Sequence, residues 1–527
     1  MHHPAFNIDD FENQATWDLI SSGRTKGVFQ LESRLGSSWA KRAKPQSIEE
    51  LADLISIIRP GTLEAVLDGK SMTKHYTDRK AKYDETTYLH PSLEPILNKT
   101  YGIIVYQEQA MRIATDIAGF TPEEADSLRK AMGKKDAALM KEVREKFING
   151  SKNKGIVGDS DAAQIFDWIQ ASARYSFNKS HAIAYAINSF RSAYCKAHDT
   201  LKFYETYLNH AEHKPDKQKE IKELIMDARL NGIEVYPPRL EFFHRKFTMN
   251  RNKNIIYFGY SNVKNVGEGE QEKLAEIVSS AEKELGKPIA DFNWLECLFL
   301  IGDKIKKNAF ISIISVGGLT GKNNKLTRNK MLFQFDIWNK LTVKEQTWIV
   351  DKWKETKDSS LENLVKAMIN QDGKINVRRL TSILDLYQTM QDPPCSLEDN
   401  YQWIADIEQK LMGCSLSCAK VDSFHEDIDA TCKEIANKET NERPACIAVK
   451  LNQVKEYIVK KGQSEGKVMG FISAEDHTGE CDSFVVFSDD FSKYRKLLFE
   501  GNTVLLYGEI KQKENDLSFI VKNVTQI

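Results

Sequence analysis

The sequence has few cysteines, and they are not spaced for metal binding or for a disulfide framework. Eight cysteines occur in 527 residues, and only Cys414 and Cys418 lie close together. A structural zinc site usually draws its ligands from two close pairs, and no second close pair is present. The pattern is typical of reduced thiols that pack as small apolar side chains, and we predict no metal ligands in this chain.

The sequence also lacks an excess of charge of either sign. Lysine and arginine together number 74, aspartate and glutamate 75, and the formal net charge at pH 7 is −1. No global field therefore attracts a polyanion, and any surface that binds nucleic acid must be a local cluster of cations. Composition alone leaves the class of partner open.

Long apolar runs and a secretory signal are missing as well. No stretch approaches the ~20 apolar residues that a membrane-spanning helix needs. The first residues, MHHPAFNIDD, do not place a basic region before an apolar run, as a signal peptide would. These absences predict a cytoplasmic protein that has no membrane partner. A length of 527 residues predicts roughly three or four domains.

What the sequence does contain is a long helical block followed by a strand-rich end. Helical spacing of apolar residues, and N-cap signals such as Thr121 followed by Pro122 and Glu124, predict helices from about residue 45 to 210. From about residue 443 to 527, strands alternate with polar turns, as in a small antiparallel β-barrel. The predicted fold class is multidomain and mostly α-helical, with a C-terminal antiparallel β-barrel.

Two shorter segments are predicted to be extended. The apolar run GVFQL, at Gly27–Leu31, indicates a short strand after a first helix over residues 9–22. The run FTMNRNKNIIYFGYSNVKNVGEG indicates a short β-hairpin that leads into a glycine-rich turn.

Three segments of the helical block carry more cations than a core helix needs. They are IIRPGTLE, YGIIVYQEQAMRIATDIAGFTPEEADSLRKAMGKK and RYSFNKSHAIAYA, and the candidate cations that they offer are Arg59, Arg129, Lys130, Lys134, Lys135, Arg174, Lys179 and His181. Several fixed cations that converge are what a triphosphate or a DNA backbone requires. Ser180 is the predicted N-cap of the last helix, whose first amides would then face an anion. Alternatively, basic residues at helix ends only complement the helix dipole and face water, and the residues alone leave both interpretations open.

A family resemblance decides between these interpretations. In order and spacing, the segments GVFQLES, IIRPG, HPSLEPIL, TYGIIVYQEQAM, AGFTPEEADSLRKAMGKK and YSFNKSHAIAYA resemble the alpha subunit of bacterial DNA polymerase III, a C-family replicative polymerase. The resemblance runs from about Asp9 to His198. It continues more weakly through IYFGYSNVKNVGEG, WIADIEQKLMGCSLS and the terminal β domain, and Leu300 to Asn400 match poorly.

The resemblance implies a division into five parts that correspond to the back half of that subunit. These are a palm remnant (1–44), fingers (45–210), a tandem helix-hairpin-helix region that binds duplex DNA (211–345), a helical connector (346–440) and an OB fold (441–527).

In that family the fingers bind the incoming deoxynucleoside triphosphate (dNTP) and close over the nascent base pair. The resemblance makes Arg129 and Lys130 the first candidates for triphosphate contact, followed by Lys179, His181 and Arg59, with Lys134 and Lys135 in the same segment. In the segment that corresponds to LRKAMGKK, the usual family pattern has two arginines. Lys130 replaces one of them, which keeps the charge but loses the planar fork that contacts a phosphate twice.

The glycine-rich turn VKNVGEGEQEKLAE resembles the first hairpin of a helix-hairpin-helix module. Gly267 and Gly269 would let backbone amides approach a phosphate of duplex DNA without reading its sequence, and Lys264 and Arg174 are further candidates for DNA contact. The alternative is an ordinary glycine turn. A second hairpin is predicted near Ile314–Gly321.

Four aromatic residues on the predicted strands of the OB fold, Phe471, Phe484, Phe487 and Tyr507, are candidates for stacking on the bases of a single strand. Because successive strand residues face opposite sides, about half of them must face the barrel core, and none is assigned individually.

A clamp-binding peptide is also expected near this part of a replicase. The segment QFDIW, with Gln334, Asp336, Ile337 and Trp338, loosely fits the family's pattern. The alternative is a core helix, because apolar residues recur there every three or four positions.

The family's catalytic aspartates precede GVFQLES, which here begins at Gly27, and Asp9 and Asp10 match a stretch beyond them. The resemblance therefore implies no catalytic residue in this chain. It implies a separately encoded partner that supplies the PHP domain and the palm, with Mg²⁺ bound at the partner's aspartates. A truncated chain would look the same, and the family's tau-binding C-terminal domain is expected to be absent.

The predicted function is thus the C-terminal half of a split replicative DNA polymerase, encoded by a phage or by a genome with a divided polymerase gene. Its expected partners are primer–template DNA, dNTP, the palm-bearing half and a sliding clamp. The alternative from another class is a non-catalytic replication factor that binds nucleic acid with the same fold. A nuclease or repair factor is a weaker alternative, because the sequence has no clustered acidic motif.

Overall fold

The structure is a computed structural model that describes residues 6–67, 69–134, 137–172, 176–358, 360–370, 377–418, 428–513 and 516–526. The chain divides into two compact units, Met1–Phe203 and Tyr204–Ile527. We call them the first and the second unit, and the division into five parts stays a prediction. No helix of the described residues is long and apolar enough to cross a bilayer.

The first unit is almost entirely helical. Its helices are α1 (Gln14–Ser21), α2 (Arg34–Ala43), α3 (Ile48–Ile57), α4 (Pro60–Glu64), α5 (Met72–Lys80), α6 (Glu94–Leu97), α7 (Gln107–Ala118), α8 (Pro122–Lys134), α9 (Ala137–Lys154), α10 (Asp159–Ser172) and α11 (Lys179–His198), and α12 (Thr200–His210) contains the division. A two-stranded sheet pairs β1 (Val66–Leu67) with β2 (Lys70–Ser71).

Two apolar cores hold these helices. One lies beneath α3 and α11 and contains Trp17, Leu54 and Phe190. The other joins α7 to α10 through residues that include Phe147 and Phe166. Packing against these cores positions the three cationic segments.

The predicted start of α8 is confirmed. The Thr121 N–H donates to the Glu124 carboxylate at 3.0 Å, and the Glu124 N–H donates to the Thr121 hydroxyl at 3.4 Å. This reciprocal pair is a capping box, and Pro122 occupies the first helical position, where it has no amide to lose.

The strand predicted at Gly27–Leu31 is wrong. The segment forms successive turns, with Gly27 at φ +75° and Gln30 at φ +63°. Val28 and Leu31 are buried in the first core, so the apolar residues that suggested a strand serve as anchors for a turn.

The second unit begins with a helical region that contains a small sheet. Its helices are α13 (Lys217–Leu230), α14 (Glu268–Leu285), α15 (Trp294–Cys297), α16 (Lys307–Ser315), α17 (Arg328–Lys340), α18 (Val343–Thr356), α19 (Leu361–Ile369), α20 (Val377–Gln391), α21 (Tyr401–Met412) and α22 (Cys432–Asn437). In the sheet, β5 (Ile255–Tyr257) lies between β3 (Glu234–Tyr236), to which it is parallel, and β4 (Thr248–Asn250), to which it is antiparallel. The predicted hairpin is confirmed as β4 and β5.

The end of the chain is a closed five-stranded barrel. Its strands are β6 (Arg443–Ile458), β7 (Val468–Asp476), β8 (Gly479–Val486), β9 (Thr503–Lys513) and β10 (Asp516–Gln526), and α23 (Ser488–Tyr494) connects β8 to β9. Around the barrel the order is β10-β8-β7-β6-β9. The five predicted strands are confirmed, but the purely antiparallel prediction is wrong, because β10 pairs with β8 in parallel.

Candidate nucleotide-binding site

Two of the three cationic segments lie side by side. Tyr106, just before α7, bridges to Phe177, just before α11. The Gln107 N–H donates to the Phe177 carbonyl, and the Phe177 N–H donates to the Val105 carbonyl, both at 3.0 Å. These backbone hydrogen bonds hold the first residues of α7 and α11 in register.

Glu108 reinforces this junction at the N-terminus of α11. Both of its carboxylate oxygens accept from the Lys179 N–H at 3.0 Å, and one also accepts from the Asn178 amide at 3.0 Å. Asn178 is the N-cap, since its side chain accepts from the His181 N–H at 2.9 Å. The prediction that Ser180 caps this helix is therefore wrong. The carboxylate of Glu108 therefore already occupies the first amide of α11. A further anion would be attracted by the ammonium of Lys179.

Arg59, from the remaining cationic segment IIRPGTLE, contacts Phe177 at the same junction. It precedes α4, and its guanidinium lies 3.6 Å from the centre of the Phe177 ring. Partial burial lowers the pKa of Arg59, although an arginine remains charged at any ordinary pH. The contact therefore places a permanent cation beside the start of α11.

A row of rings continues from Phe177 along α11. The ring centres of Phe177 and His181 are 5.3 Å apart, and those of His181 and Tyr185 are 4.1 Å apart. Residues four apart lie on one helix face, so the three rings form a continuous surface. Phe29, from the turn that replaces the predicted strand, extends it at 5.2 Å from Tyr185. We call these four residues the ring row.

Lys179 rests on another ring, that of Tyr106, with its ammonium 5.7 Å from the ring centre. The Tyr106 hydroxyl donates to Asp53 on α3 at 2.5 Å, and the Tyr76 hydroxyl donates to the other oxygen of Asp53 at 2.9 Å. Burial of this carboxyl raises its pKa to about 6. The cations thus stand over a buried acid that the sequence analysis did not single out.

Arg129 and Lys130 lie on α8 and share a carboxylate. Arg129 contacts Asp126 at 2.8 Å, and Lys130 contacts the other oxygen of Asp126 at 2.8 Å. These two cations lower the pKa of Asp126, that of Lys130 the more strongly. Among the described residues, no hydrogen bond, ion pair or ring contact joins this group to Arg59, Lys179 or His181. Contacts therefore link Arg59, Lys179 and His181 through neighbouring rings, whereas the contacts of Arg129 and Lys130 are with Asp126.

Three of the predicted cations have side chains that the structure does not describe. Lys135, Arg174 and the side chain of Lys134 lie outside the described residues. Among the described residues, no cluster of three or more histidine, cysteine, aspartate or glutamate side chains is arranged to hold a metal ion.

In the second unit, the glycine turn predicted to bind duplex DNA lies at the start of α14. Gly267 is the N-cap at φ +48°, and a Cβ on it or on Gly269 would meet no atom within 4 Å. Lys264 is exposed beside them. The approach is open, as backbone contact with a phosphate requires.

The same turn carries acidic side chains that sequence reasoning overlooked. Glu268 pairs with Arg245 at 2.7 Å, and Glu270 pairs with Lys306 at 3.3 Å. These ion pairs offset part of the negative charge that a DNA phosphate would meet.

The clamp-binding prediction receives no support from the structure. Ile337 and Trp338 are fully buried in α17, and the Trp338 indole donates to Asp303 at 2.7 Å. Gln334 accepts from the Trp294 indole at 2.6 Å, and Asp336 pairs with Lys340 on the surface. A clamp would need the apolar side chains, and these already serve the core of the second unit.

The four aromatic residues predicted on the barrel differ in exposure. Phe484 is fully buried and Tyr507 is half-buried, whereas Phe471 and Phe487 are 42% and 48% exposed. Tyr457 lies beside Phe471, with ring centres 6.1 Å apart. Sequence reasoning missed Tyr457 because β6 extends well beyond the apolar run that suggested the strand.

These observations define the first unit as a helical domain in which two cations lie over neighbouring aromatic rings, Arg59 over Phe177 and Lys179 over Tyr106. Comparison with known proteins shows what this chain is similar to. Residues 4–155 match the family described as "Bacterial DNA polymerase III alpha subunit finger domain".

Relatives named DNA polymerase III subunit alpha are similar along almost the whole chain. The protein from Thermus aquaticus is 30% identical over 509 residues, which are 95% of this chain and 38% of the relative. The protein from Aquifex aeolicus is 29% identical over 97% of this chain and 39% of the relative. The protein from Staphylococcus epidermidis is 28% identical over 99% of this chain and 44% of the relative. The chain spans about two fifths of the length of these relatives.

The resemblance to bacterial DNA polymerase III alpha subunits is therefore confirmed. Almost the whole chain is similar to a portion of such a subunit, and residues 4–155 are similar to its finger domain.

Proposed function

We propose that the first unit binds the incoming dNTP of a template-directed DNA polymerase. The observation that carries the proposal is the meeting of Arg59 and Lys179 at Phe177 and Tyr106, because these residues come from separate segments of the chain. Two cations on fixed neighbours can neutralise adjacent phosphates, whereas cations that only complement helix dipoles have no reason to converge.

The ring row supplies the second element that a nucleotide site needs. An exposed aromatic surface binds a base pair by stacking, with little preference for sequence, as a polymerase requires. His181 lies inside this row and adds a hydrogen-bonding group between two apolar rings. Phosphate and base would thus be held by neighbouring parts of one surface.

Arg129 and Lys130 are proposed to contact the triphosphate as well, once α8 approaches a bound nucleotide. Asp126 holds both side chains together in the free protein, and an incoming phosphate would replace it. Catalysis of phosphoryl transfer consists mostly of positioning and charge neutralisation, which is the contribution that these residues can make.

The metal-binding part of the reaction is proposed to lie elsewhere. Two-metal phosphoryl transfer needs carboxylates that hold Mg²⁺, and we propose that a palm outside the residues described here provides them, with its PHP domain. That palm belongs either to a separately encoded partner or to another part of a longer chain. Without it, the chain is expected to bind substrates but not to extend a primer.

Nucleotide binding is expected to depend on Lys179. With a fluorescent mant-dATP probe and Mg²⁺, Lys179→Ala is expected to weaken binding by roughly tenfold or more, because a charge-assisted hydrogen bond contributes about 1.5–3 kcal/mol. Fluorescence titration of the full chain, with inorganic triphosphate as competitor, measures the effect.

Lys152→Ala is the matched control, since Lys152 is an exposed lysine on α9 whose carboxylate partner, Asp159, is 3.8 Å away. Equal affinities of the two variants would contradict the proposal. Primer extension by the chain alone, the palm-bearing part alone and the mixture then tests the division of labour, and extension by this chain alone would refute it.

We further propose that the barrel is an OB fold that binds single-stranded template. The strand order, with β10 closing against both β8 and β9 and a helix between β8 and β9, supports this assignment. Tyr457, Phe471 and Phe487 present rings to solvent, and the Lys522 ammonium lies 5.8 Å from the Phe487 ring centre. Rings next to a cation suit a single strand, whose bases stack while its phosphates pair.

Binding of a single strand is expected to weaken when Phe471 is replaced by alanine. Loss of one stacked base costs about 1–3 kcal/mol, or roughly five- to 150-fold in affinity. Fluorescence anisotropy with a labelled oligo-dT measures it. Phe499→Ala is the control, because Phe499 is also an exposed phenylalanine but lies in the loop before β9. The same loss in both variants would argue against the proposed face.

Duplex binding is proposed for the turn that contains Gly267, Gly269 and Lys264. Such contacts would be independent of sequence and would weaken with salt. The paired glutamates at this turn predict that its contribution is smaller than that of a purely basic hairpin.

A further inference from the structure

A buried acid in the first unit has no part in the function proposed so far. Asp53 lies on α3, is 5% exposed, and is surrounded by the first apolar core. Burying an ionised carboxyl is costly unless hydrogen bonds or an opposite charge compensate it. The compensation at Asp53 indicates what the residue does.

The carboxylate of Asp53 ties together three elements. Tyr106 precedes α7 and Tyr76 belongs to α5, and each donates its hydroxyl to a different oxygen of Asp53. The shorter of the two hydrogen bonds, at 2.5 Å, is the one to Tyr106. Asp53 therefore fixes the tilt of the Tyr106 ring more firmly than packing alone would.

The cation that stabilises the ionised form of Asp53 is Lys179. Its backbone is held by Glu108, and its ammonium lies over the face of Tyr106. The chain of contacts runs from Asp53 through the Tyr106 hydroxyl and ring to the Lys179 ammonium. Arg59, the second cation of the site, follows α3, the helix that carries Asp53, and directly precedes α4.

We propose that Asp53 is a positioning residue for nucleotide binding, which acts through Tyr106 to set where the Lys179 ammonium meets a phosphate. The inference rests on the proposed nucleotide-binding function. It goes beyond it by assigning a role to a residue that no substrate can touch. If Asp53 had a purely structural role, replacing its carboxylate would lower the free energy of unfolding. Asp53 is buried without a full ion pair, so we expect the replacement to raise the free energy of unfolding at neutral pH.

Titratable groups on several neighbouring segments face Asp53. They are Tyr76 on α5, Tyr101 and Tyr106 between α6 and α7, Lys179 on α11 and Glu50 one turn earlier on α3, whose own charge is countered by Lys80 at 2.8 Å. Burial and, to a smaller extent, Glu50 oppose ionisation of Asp53, and the hydroxyls of Tyr106 and Tyr76 and the ammonium of Lys179 favour it. Protonation of Asp53 removes the strong acceptor of the Tyr106 hydroxyl, so nucleotide binding is expected to weaken as Asp53 takes up its proton.

The test is binding of mant-dATP to the full chain between about pH 5 and pH 8. Asp53→Asn is expected to weaken binding at pH 8 by about tenfold, the equivalent of one hydrogen bond. The ratio of the wild-type affinity to that of the variant should fall toward one at low pH, which also cancels the titration of the nucleotide's own phosphates. Tyr106→Phe should behave like Asp53→Asn, and Tyr76→Phe, which leaves the Tyr106 hydrogen bond intact, should bind like the wild type.

A double-mutant cycle separates this inference from the proposed function. In the Lys179→Ala background, Asp53→Asn is expected to have no further effect on binding, because its action passes through Lys179. Additive losses, or unchanged or tighter binding by Asp53→Asn, would overturn the positioning role. If Lys179→Ala itself binds like the wild type, the nucleotide-binding proposal has failed instead. Should Asp53→Asn not fold, the comparison of Tyr106→Phe with Tyr76→Phe decides.

Discussion

Replacing Glu408 by alanine is expected to destabilise the second unit by about 3–5 kcal/mol, because it leaves a buried arginine without its partner. Glu408 on α21 is fully buried and pairs with Arg328 at 2.8 Å. Its other oxygen accepts from the Leu416 and Ser417 amides at 2.7 and 2.9 Å. One carboxylate thus holds the start of α17 and the loop after α21.

The Arg328 side chain also makes several hydrogen bonds. It donates to the Ser315 carbonyl at the end of α16 at 2.9 Å and to the Ser417 hydroxyl at 2.8 Å. Without Glu408 these neutral acceptors cannot compensate the buried charge, and the loop amides lose their acceptor as well.

Urea unfolding measures the loss, with hydrogen exchange at residues 401–418 as the local probe because the chain has two compact units. Glu456→Ala is the control, because Glu456 pairs with Arg495 at 2.6 Å on the surface, where such a pair contributes about 0–1 kcal/mol. A loss at Glu408 no larger than that at Glu456 would show that the network does not stabilise the unit.

The free energy of unfolding of the first unit is expected to fall as the pH rises through the titration of Asp53. Burial raises the pKa of this carboxyl from 3.8 to about 6, so the folded chain binds the proton more tightly than the unfolded chain does. The bound proton stabilises the folded chain fully below the pKa of the unfolded chain, 3.8. This stabilisation is lost as the pH rises through the pKa of the folded chain, about 6. The difference corresponds to roughly 3 kcal/mol.

Asp53→Asn is expected to abolish this part of the pH dependence. The wild type and the variant should be similar near pH 4, and the variant should be the more stable at pH 8, because it buries no charge. Urea unfolding at several pH values, with hydrogen exchange in α3, measures both curves.

Asp116→Asn is the control for the pH experiment, since it removes an exposed carboxylate that pairs with Arg112 at 3.2 Å. A slope that persists in Asp53→Asn would contradict the assignment to Asp53. Together with the binding experiment, the expected result is a variant that is more stable but binds nucleotide less well, as is common where function uses a costly buried group.

Several residues of the candidate site could be predicted from the sequence, but not which of them contact the same neighbours. The motifs predict Arg59, Lys179 and His181, and in the structure these side chains contact two neighbouring rings, those of Phe177 and Tyr106. Arg129 was placed in the same set, yet in the structure it pairs with Asp126 three residues away. A helix allows such local pairing at any surface position, so the motif could not show whether the cation faces its neighbour or the site.

Sequence reasoning missed Asp53 and the phenylalanine and tyrosine members of the ring row for a different reason. Asp53 sits in an apolar stretch, where one acid looks like an irregularity of the pattern, and Phe177 and Tyr185 look like ordinary core residues. Their roles depend on partners that are distant in sequence, Tyr106 for Asp53 and Arg59 for Phe177. Periodicity describes which face a residue occupies but not what lies opposite that face.

The sequence by itself determined the features of this protein that depend on a few adjacent residues. The start of α8 follows from Thr121, Pro122 and Glu124, the five barrel strands follow from alternation, and the resemblance to the family follows from the order of the motifs. Only the tertiary structure decided which cations meet, that Gly27–Leu31 is a turn, and that β10 pairs in parallel with β8. The physical reason is that short-range patterns fix backbone conformation, whereas contacts between distant segments result from how their apolar faces pack in the cores.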